Sequence, residues 1–148
     1  LIGHTDKVLS LELIQNGSLA SSSADYTIRI WNYETGLFIK ELIGHTDNVL
    51  CLKYLNDDLM ASGSADRTIK IWNVALGILI QTLNGHEDSV TALDLISDGS
   101  LISGSLDTKV LIWNLTSNDI ISILNTTDQI YALEFFNYEG NIQNFSKI

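Results

Sequence analysis

The strongest constraint on this chain is that its sequence repeats every 41 residues. The stretch IGHTDKVL at 2–9 returns as IGHTDNVL at 43–50 and, with more changes, as NGHEDSVT at 84–91. The stretch IRIWN at 28–32 recurs at the same interval as IKIWN and then VLIWN, so that 27 residues separate each His from the following Trp. Because a fixed period of about 20–50 residues is the signature of solenoids, propellers and other arrays, we predict that the chain consists of copies of one small structural unit.

Each copy divides into four short apolar runs that are separated by turn residues. In the first copy the runs are VLSLELI, LASSS, TIRIWNY and LFIKELI, and the residues between them are QNGS, ADY and ETG. The runs alternate between apolar and polar residues only in places, which is typical of strands that are buried on both faces. Helical arrays of similar period need long segments with a 3.6-residue periodicity, and the sequence contains none. Four strands per copy, stacked face to face with the next copy, indicate the blades of a β-propeller.

The repeat becomes incomplete near the end of the sequence. The stretch LNTTDQIYALEFF at 124–136 aligns with 83–96 if one residue is deleted, but two threonines replace the Gly-His pair. We therefore predict an all-β protein, a partial β-propeller of three four-stranded antiparallel blades plus one or two strands of a fourth. A turn at 137–140 and a short strand at 141–145 belong to this prediction. Residues 1–148 are predicted to form one domain with repeats at about 1–42, 43–83, 84–124 and, in part, 125–148.

The pairing of Gly-His with a later Trp-Asn at this period resembles the WD-repeat family, over residues 3 to about 136. Trp-Asp is the usual pair in that family, and Trp-Asn is a common variant. The resemblance implies a hydrogen-bonded tetrad inside each blade, formed by a His before the first strand, a Ser on the second, an Asp in the next turn and the Trp of the third. The matching residues are His4, Ser21, Asp25 and Trp31; His45, Ser62, Asp66 and Trp72; and His86, Ser103, Asp107 and Trp113.

Two other roles for the three histidines conflict with the repeat. As metal ligands they would have to converge, yet each belongs to its own blade, about 10 Å or more from the next sheet. As members of a catalytic triad, Ser21, His4 and Asp25 and their copies would form three identical active sites, and no Gly-x-Ser-x-Gly motif is present. Because buried polar side chains need hydrogen-bond partners, a structural role is the simpler interpretation. We therefore predict no catalytic residue, no metal site and no cofactor.

Two further features of the sequence suggest sites and are interpreted as structural. Asp6, Asp47 and Asp88 each follow a His by two residues, which is typical of turn or cap residues, and no Asp-rich loop with calcium-binding spacing is present. Cys51 is the single cysteine, so neither an internal disulfide nor a Cys-based zinc site can form. It lies in the apolar run VLCLKYL, which predicts a small buried residue rather than a reactive thiol.

Composition limits the partners and the compartment. The formal net charge is −10 and only eight residues are Lys or Arg, so we expect neither nucleic acid nor an anionic membrane to bind. No apolar run is long enough to span a membrane, and no signal peptide is visible. We therefore expect an intracellular, cytoplasmic protein. Because the first residue is Leu and not Met, this expectation holds for the printed sequence alone.

The resemblance implies a binding scaffold rather than an enzyme. WD-repeat proteins mostly hold other proteins together, often by binding a peptide on the narrower face of the ring. A substrate-recognition or regulatory propeller within a larger signalling or ubiquitin-ligase complex is the alternative function that stays open. Carried over by position, the residues expected to contact a partner are Lys7, Leu9, Ala24, Asn48, Leu50, Ala65, Ser89, Thr91, Leu106 and Tyr131.

These contact positions differ among the copies, which fits a recognition surface and also fits a surface under no constraint. The two interpretations stay open for any single residue. Leu9, Leu50 and Leu106 favour recognition, because an apolar side chain in such a place needs packing or a partner. Tyr131 is a candidate aromatic anchor, since aromatic residues often dominate the energy of an interface.

Three and a half blades do not close a ring. WD-repeat propellers usually have seven blades and sometimes eight, and an open arc leaves two apolar blade faces exposed. Such faces exceed the apolar patches that soluble monomers tolerate. Two hypotheses follow. The chain is a piece of a longer chain that supplies the remaining blades in cis, or two or more copies associate to close the ring.

Overall fold

In the computed structural model, residues 2–15 and 17–133 are described, and this part of the chain is all β. It contains twelve strands and no helix, and therefore no helix able to cross a membrane. The strands are β1 Val8–Ile14, β2 Ser18–Ser23, β3 Thr27–Asn32, β4 Phe38–Ile43, β5 Val49–Asn56, β6 Leu59–Ser64, β7 Thr68–Asn73, β8 Ile78–Asn84, β9 Val90–Leu95, β10 Leu101–Ser105, β11 Lys109–Trp113 and β12 Ile120–Asn125.

The twelve strands form three antiparallel sheets of four strands each. The strand order is β1-β2-β3-β4 in the first sheet, β5-β6-β7-β8 in the second and β9-β10-β11-β12 in the third. We refer to these sheets as blades 1, 2 and 3. The predicted fold class, an all-β partial propeller with three four-stranded blades, is therefore confirmed. Residues 126–133 follow β12 outside any strand, and the turn predicted at 137–140 and the strand predicted at 141–145 lie outside the described residues.

A carboxylate shapes the turn between the second and third strands of every blade. In blade 1, Asp25 Oδ1 accepts the N–H of Thr27 at 3.0 Å, and Tyr26 between them has a positive φ of 71°. Blades 2 and 3 repeat this turn, with φ angles of 71° at Arg67 and 67° at Thr108. An Asp that accepts a hydrogen bond from the backbone two residues later stabilises such a turn. The following residue can therefore adopt a left-handed conformation without being glycine.

The Asn of each Trp-Asn pair forms the turn between the third and fourth strands. Asn32 Oδ1 accepts the N–H groups of Glu34 and Thr35 at 3.1 and 2.8 Å. Asn73 and Asn114 likewise accept N–H groups that lie two or three residues later. The Asn amide oxygen thus accepts backbone N–H groups in the same way as an Asp carboxylate oxygen does in an Asx-turn. This explains why Trp-Asn can replace Trp-Asp in these three blades.

Neighbouring blades pack through apolar faces, and the first strand of each blade lies against the preceding blade. Between blades 1 and 2, one cluster contains Ile28, Ile30 and Leu42 of blade 1 together with Val49 and Leu52 of blade 2. Each of these side chains leaves at most 6% of its surface exposed. Removing apolar surface from water is the main force that holds such sheets together. The cluster between blades 2 and 3 contains the residues 41 positions later: Ile69, Ile71, Leu83, Val90 and Leu93.

The single cysteine belongs to the interface between blades 2 and 3. Cys51 is buried, with 9% of its surface exposed, and its Sγ lies 3.7 Å from the carbonyl oxygen of Val90. Burial raises the pKa of the Cys51 thiol to about 12, so the thiol is protonated near neutral pH. The prediction of a small buried residue is confirmed, and nothing in this environment activates a thiolate.

Blade 3 is covered on its far side by the segment that follows β12. Ile130 and Leu133 of this segment pack against an apolar cluster of blade 3. A Cβ atom added to Gly104 would lie 2.5 Å from Ile130 Cγ2, just as one added to Gly63 of blade 2 would lie 2.7 Å from Val90 Cγ1. The start of the fourth copy therefore occupies on blade 3 the place that β9 occupies on blade 2.

Candidate functional site

In each blade the structure joins His, Ser, Asp and Trp by hydrogen bonds. In blade 2, His45 Nδ1 lies 2.7 Å from Asp66 Oδ2, and His45 Nε2 lies 2.7 Å from Ser62 Oγ. The indole N–H of Trp72 donates to the same Ser62 Oγ at 2.8 Å. Blades 1 and 3 show the same three contacts at 2.8–2.9 Å. The twelve residues assigned from the resemblance are thus brought together in three sets of four, one set per blade.

The protonation states in this tetrad follow from the pKa of the carboxyl group. Burial alone would raise the pKa of Asp66, but hydrogen bonds from Thr68 and His45 outweigh it and lower the pKa to about 2. The ionised carboxylate can only accept, so His45 Nδ1 carries the proton. His45 Nε2 then accepts the hydroxyl hydrogen of Ser62, whose oxygen accepts the indole N–H of Trp72. Each donor has a partner, which fits a structural network with no reactive group left over.

The glycine before each His has a steric role that sequence reasoning missed. A Cβ atom added to Gly44 would lie 3.0 Å from Cη2 of the Trp72 ring. The corresponding distances are 2.8 Å for Gly3 over Trp31 and for Gly85 over Trp113. The backbone thus passes over the edge of the indole too closely for a larger residue. The recurrence of Gly at the same place in all three copies was the available signal.

A threonine supports the tetrad in two blades, and sequence reasoning missed this role as well. Thr27 Oγ1 donates to Asp25 Oδ1 at 2.7 Å, and Thr68 Oγ1 donates to Asp66 Oδ1 at 2.6 Å. Blade 3 has Lys109 at this position, whose ammonium group lies 2.9 Å from Glu87 Oε1. The four residues of the tetrad are therefore present in all three blades, whereas the position of the supporting threonine is occupied by Lys109 in blade 3.

The acidic residues that follow the histidines form local caps. Asp6, Asp47 and Asp88 each accept the N–H of the next residue through Oδ1, at 2.7, 2.7 and 2.6 Å. Among residues 2–15 and 17–133, no three His, Cys, Asp or Glu side chains form a group that could hold a metal ion. Within the described residues, the carboxylates of Asp6, Asp47 and Asp88 therefore cap backbone N–H groups of their own loops.

Acid is expected to destabilise the chain in two stages. Burial lowers the pKa of His45 and His86, so below about pH 6.5 the unfolded chain binds protons that the folded chain does not. Stability therefore falls as the pH drops below this value. Hydrogen bonds outweigh burial and lower the pKa of Asp66 and Asp107, which adds a second loss below about pH 4. Thermal melts between about pH 8 and 3 measure both stages, and a melting temperature that does not change between about pH 7 and 5 would contradict the first.

Nine of the ten residues expected to contact a partner lie at one end of each sheet, where the loop before the first strand meets the turn after the second. The tenth, Tyr131, follows Ile130, whose N–H donates to the carbonyl oxygen of Ser105 at 3.1 Å, next to the turn of blade 3. We call this end of the three sheets the loop end. One backbone hydrogen bond joins the loop and the turn in each blade. It runs from the N–H of Ala24 to the carbonyl oxygen of Lys7, from Ala65 to Asn48 and from Leu106 to Ser89, at 2.9–3.0 Å.

The apolar and aromatic contact residues differ in their exposure. Leu9 is 40% exposed and Tyr131 is 62% exposed, although each has an apolar body. Leu50 and Leu106 are half-buried. All four therefore keep surface that a partner could cover.

Among the residues expected to contact a partner, Thr91 has a side chain that forms a hydrogen bond to the segment after β12. Its Oγ1 donates to the carbonyl oxygen of Ile130 and lies 3.3 Å from the carbonyl oxygen of Gly104. Thr91 thus helps to place the start of the fourth copy on blade 3. A substitution here is expected to disturb this packing as well as any binding.

Three segments of the chain, residues 1–32, 36–73 and 77–114, match the family model of the WD domain, G-beta repeat. The chain belongs to the WD-repeat family. Each matched segment contains one Gly-His pair and ends on the Trp-Asn pair of a tetrad. The resemblance inferred from the sequence is therefore confirmed.

Solved WD-repeat structures share the fold. U3-55K superimposes with a TM-score of 0.83 at 27% identity, over 89% of this chain and 43% of that chain. The WD40 repeats of RRP9 give a TM-score of 0.83 at 28% identity, over 89% of this chain and 43% of that chain. The computationally designed protein Ika4 gives 0.83 at 27% identity, over 93% of this chain and 84% of that chain. The chain thus spans less than half the length of the first two. No curated protein matches the sequence.

The family assignment carries a general function. WD-repeat propellers generally bind other proteins, and the family is generally a non-enzymatic interaction scaffold. The repeats of this chain therefore imply a protein-interaction propeller.

Proposed function

We propose that this chain is a non-catalytic scaffold that binds proteins or peptides at the loop end of its blades. The observation that carries the proposal is that each repeat contains two sets of residues, one that forms internal hydrogen bonds and one that lies in the loops. The residues common to all three repeats, such as His45, Ser62 and Trp72, are used in internal hydrogen bonds. The residues that differ, such as Lys7, Asn48 and their neighbours, lie in the loops beside them. Such a surface offers contacts to a partner and no group poised for chemistry.

The chemistry of the loop end favours a particular kind of partner. Leu9 and Tyr131 offer exposed apolar surface, and Asp6, Asp47 and Asp88 place one carboxylate in the loop of each blade. The formal net charge of the whole chain is −10. Because complementary charge steers association and selects partners, a segment with apolar side chains and positive charges fits this surface best.

Changing the loop end is expected to weaken partner binding. In a Leu50→Arg/Tyr131→Ala double variant, one apolar contact becomes a charge and one aromatic anchor is lost, and we expect affinity to fall by about tenfold or more. Pull-down followed by quantitative mass spectrometry, and then titration of the captured partner, measures the change.

A matched control separates the loop end from other exposed apolar positions. Ile39 and Ile80 lie on the fourth strands of blades 1 and 2 and are 44% and 51% exposed. An Ile39→Arg/Ile80→Ala variant makes a comparable change away from the loop end and is expected to keep its partners. Equal capture by the two variants and the unchanged chain would refute the proposed surface.

Several finer features of the function stay proposals. A neighbour for the exposed apolar face of blade 1, supplied either in cis by a longer chain or by association of copies, belongs to this proposal. Substrate recognition or regulation within a signalling or ubiquitin-ligase complex is a narrower form of the same function. Protein rather than nucleic-acid partners are supported by the net charge of −10. The intracellular, cytoplasmic location stays a prediction from the sequence.

A further inference from the structure

We infer that Asn84 is a modification site, at which the side chain reacts with the backbone of Gly85, loses ammonia and becomes aspartate or isoaspartate. The co-reactant is water, and no enzyme takes part. The isoaspartate product disturbs the tetrad of blade 3. The inference goes beyond the proposed function, because it concerns a covalent change within the chain and needs no binding partner.

The pair Asn84–Gly85 lies where β8 ends and the loop before β9 begins. Asn84 is the last residue of β8 and lies opposite Thr68 in the sheet, and both Asn84 and Gly85 are exposed. Water therefore reaches both reacting groups. A second Asn-Gly pair occurs at Asn16–Gly17, and Asn16 lies outside the described residues. The inference therefore concerns the pair whose surroundings the structure describes.

The side-chain amide of Asn84 is not used in the fold as other asparagine amides are. The amide oxygens of Asn32, Asn73 and Asn114 accept backbone N–H groups of the turns that follow them. Among residues 2–15 and 17–133, no side-chain hydrogen bond involves the amide of Asn84. The amide carbon of Asn84 can therefore turn towards the backbone nitrogen of Gly85 without breaking a hydrogen bond of its own in this part of the chain.

The residue after Asn84 must be glycine, which is the residue type that hinders this reaction least. A Cβ atom added to Gly85 would lie 2.8 Å from Trp113 Cη2 and 3.0 Å from Ile120 Cδ1. The packing around the third tetrad therefore requires glycine at this position. Because glycine has no Cβ and a permissive backbone, its nitrogen can approach the preceding side chain with little steric hindrance. The tetrad thus requires the neighbour that makes Asn84 reactive.

The reaction balances without an oxidant or a reductant. The Gly85 nitrogen forms a bond to Asn84 Cγ, the bond from Cγ to Nδ2 breaks, and ammonia leaves with the proton of the Gly85 N–H. Water then opens the resulting succinimide ring on one side of its nitrogen. Cleavage at Cγ gives aspartate with a normal backbone, and cleavage at the backbone carbonyl carbon gives isoaspartate. Both products carry a carboxylate that is ionised near neutral pH.

Isoaspartate changes the path of the backbone beside the third tetrad. The chain then runs through the former side chain of residue 84, so that one extra carbon atom precedes Gly85. His86 follows directly and lies 2.9 Å from Asp107 Oδ2 and 2.8 Å from Ser103 Oγ. Because hydrogen bonds weaken steeply when distance or direction changes, displacing His86 weakens both contacts. We therefore expect isoaspartate, but not aspartate, to destabilise blade 3.

The next repeat provides a matched control within the same chain. Asn125 is the last residue of β12 and is exposed, as Asn84 is at the end of β8, but Thr126 follows it. The N–H of Thr126 donates to the carbonyl oxygen of Thr108 at 2.8 Å. Because this nitrogen is hydrogen-bonded and lies beside a branched side chain, Asn125 is expected to keep its amide.

Incubation of the folded 148-residue chain at mildly alkaline pH, followed by proteolysis and mass spectrometry, tests the modification. Asn84 is expected to lose its amide at least about tenfold faster than Asn125, because glycine rather than threonine follows it. Isoaspartate is expected among the products at residue 84. Loss of the amide at Asn84 that is no faster than at Asn125 overturns the inference. Loss in denaturant but not in the folded chain overturns it as well.

Thermal melts test the consequence for the tetrad. The isoaspartate form, separated by chromatography, is expected to melt at least about 3 °C below the unmodified chain. A freshly purified Asn84→Asp variant has the added charge and a normal backbone, and is expected to melt within about 1 °C of the unmodified chain. An Asn84→Gln variant incubated in the same way is expected to keep its melting temperature. An isoaspartate form as stable as the unmodified chain, or an equal loss in either variant, overturns the effect on blade 3.

Discussion

Replacing Trp72 by Ala is expected to lower the free energy of unfolding by about 3–5 kcal/mol, the usual scale for truncating a buried aromatic residue. The indole is 1% exposed and packs in the cluster between blades 1 and 2. Its N–H donates to Ser62 Oγ at 2.8 Å, so the substitution also removes a donor from the tetrad. The ring further supports Gly44, whose backbone passes over its edge. Denaturant titration at a fixed protein concentration measures the loss.

Two companion variants divide this loss into its parts. Trp72→Phe keeps an aromatic ring but lacks the N–H, and is expected to fall between the unchanged chain and Trp72→Ala. Cys51→Ser changes a residue of the interface between blades 2 and 3, where the thiol makes one long contact with the Val90 carbonyl oxygen. It is expected to cost much less than Trp72→Ala. Equal tolerance of Cys51→Ser and Trp72→Ala would show that the tetrad does not stabilise the blade.

Replacing Asp66 by Ala is expected to cost about 2–4 kcal/mol, because several donors lose their acceptor at once. The carboxylate accepts the N–H of Thr46 at 3.0 Å, the N–H of Thr68 at 3.0 Å and the hydroxyl of Thr68 at 2.6 Å. It also accepts from His45, whose side chain is only 1% exposed and cannot turn to water instead. Arg67 would in addition lose the carboxylate that supports its left-handed conformation.

A neighbouring aspartate provides the matched control for this prediction. Asp47 has the same side chain and lies in the same blade, but Asn48 N–H is the contact that its carboxylate makes among the described side-chain hydrogen bonds. Asp47→Ala is therefore expected to cost about 1 kcal/mol or less. Thermal melts of both variants measure the difference. If the two substitutions destabilised the chain to the same extent, the hydrogen-bond network around Asp66 would not be the source of its effect.

Much of the fold and the tetrads could be predicted because they depend on local spacing. His45 lies in the loop before β5 and Trp72 lies on β7, so their separation depends on two strands and two short turns, and the same separation occurs three times in the sequence. The positions of the turns could also be predicted, because Asp66 and Asn73 are residue types that favour turns. The resemblance to a known family added the hydrogen-bond partners, which spacing alone does not identify.

The burial of individual residues could not be predicted in the same way. Val8 and Val49 occupy the same place in nearly identical stretches, yet their exposed fractions are 51% and 0%. The difference arises from the neighbouring blade and not from either stretch. Gly63 and Ser22 also occupy equivalent places, but a Cβ atom added to Gly63 would lie 2.6 Å from Cys51 Sγ and 2.7 Å from Val90 Cγ1. Ser22 instead has a buried hydroxyl with no hydrogen-bond partner among the described residues.

The left-handed turns have a consequence for how this protein can change. Tyr26, Arg67 and Thr108 differ in size and charge, yet their φ angles agree within a few degrees. The preceding aspartate, and not the residue itself, determines this conformation. One position per blade is therefore free to mutate with little effect on folding, and natural selection or protein engineering can use it to alter specificity without rebuilding the scaffold.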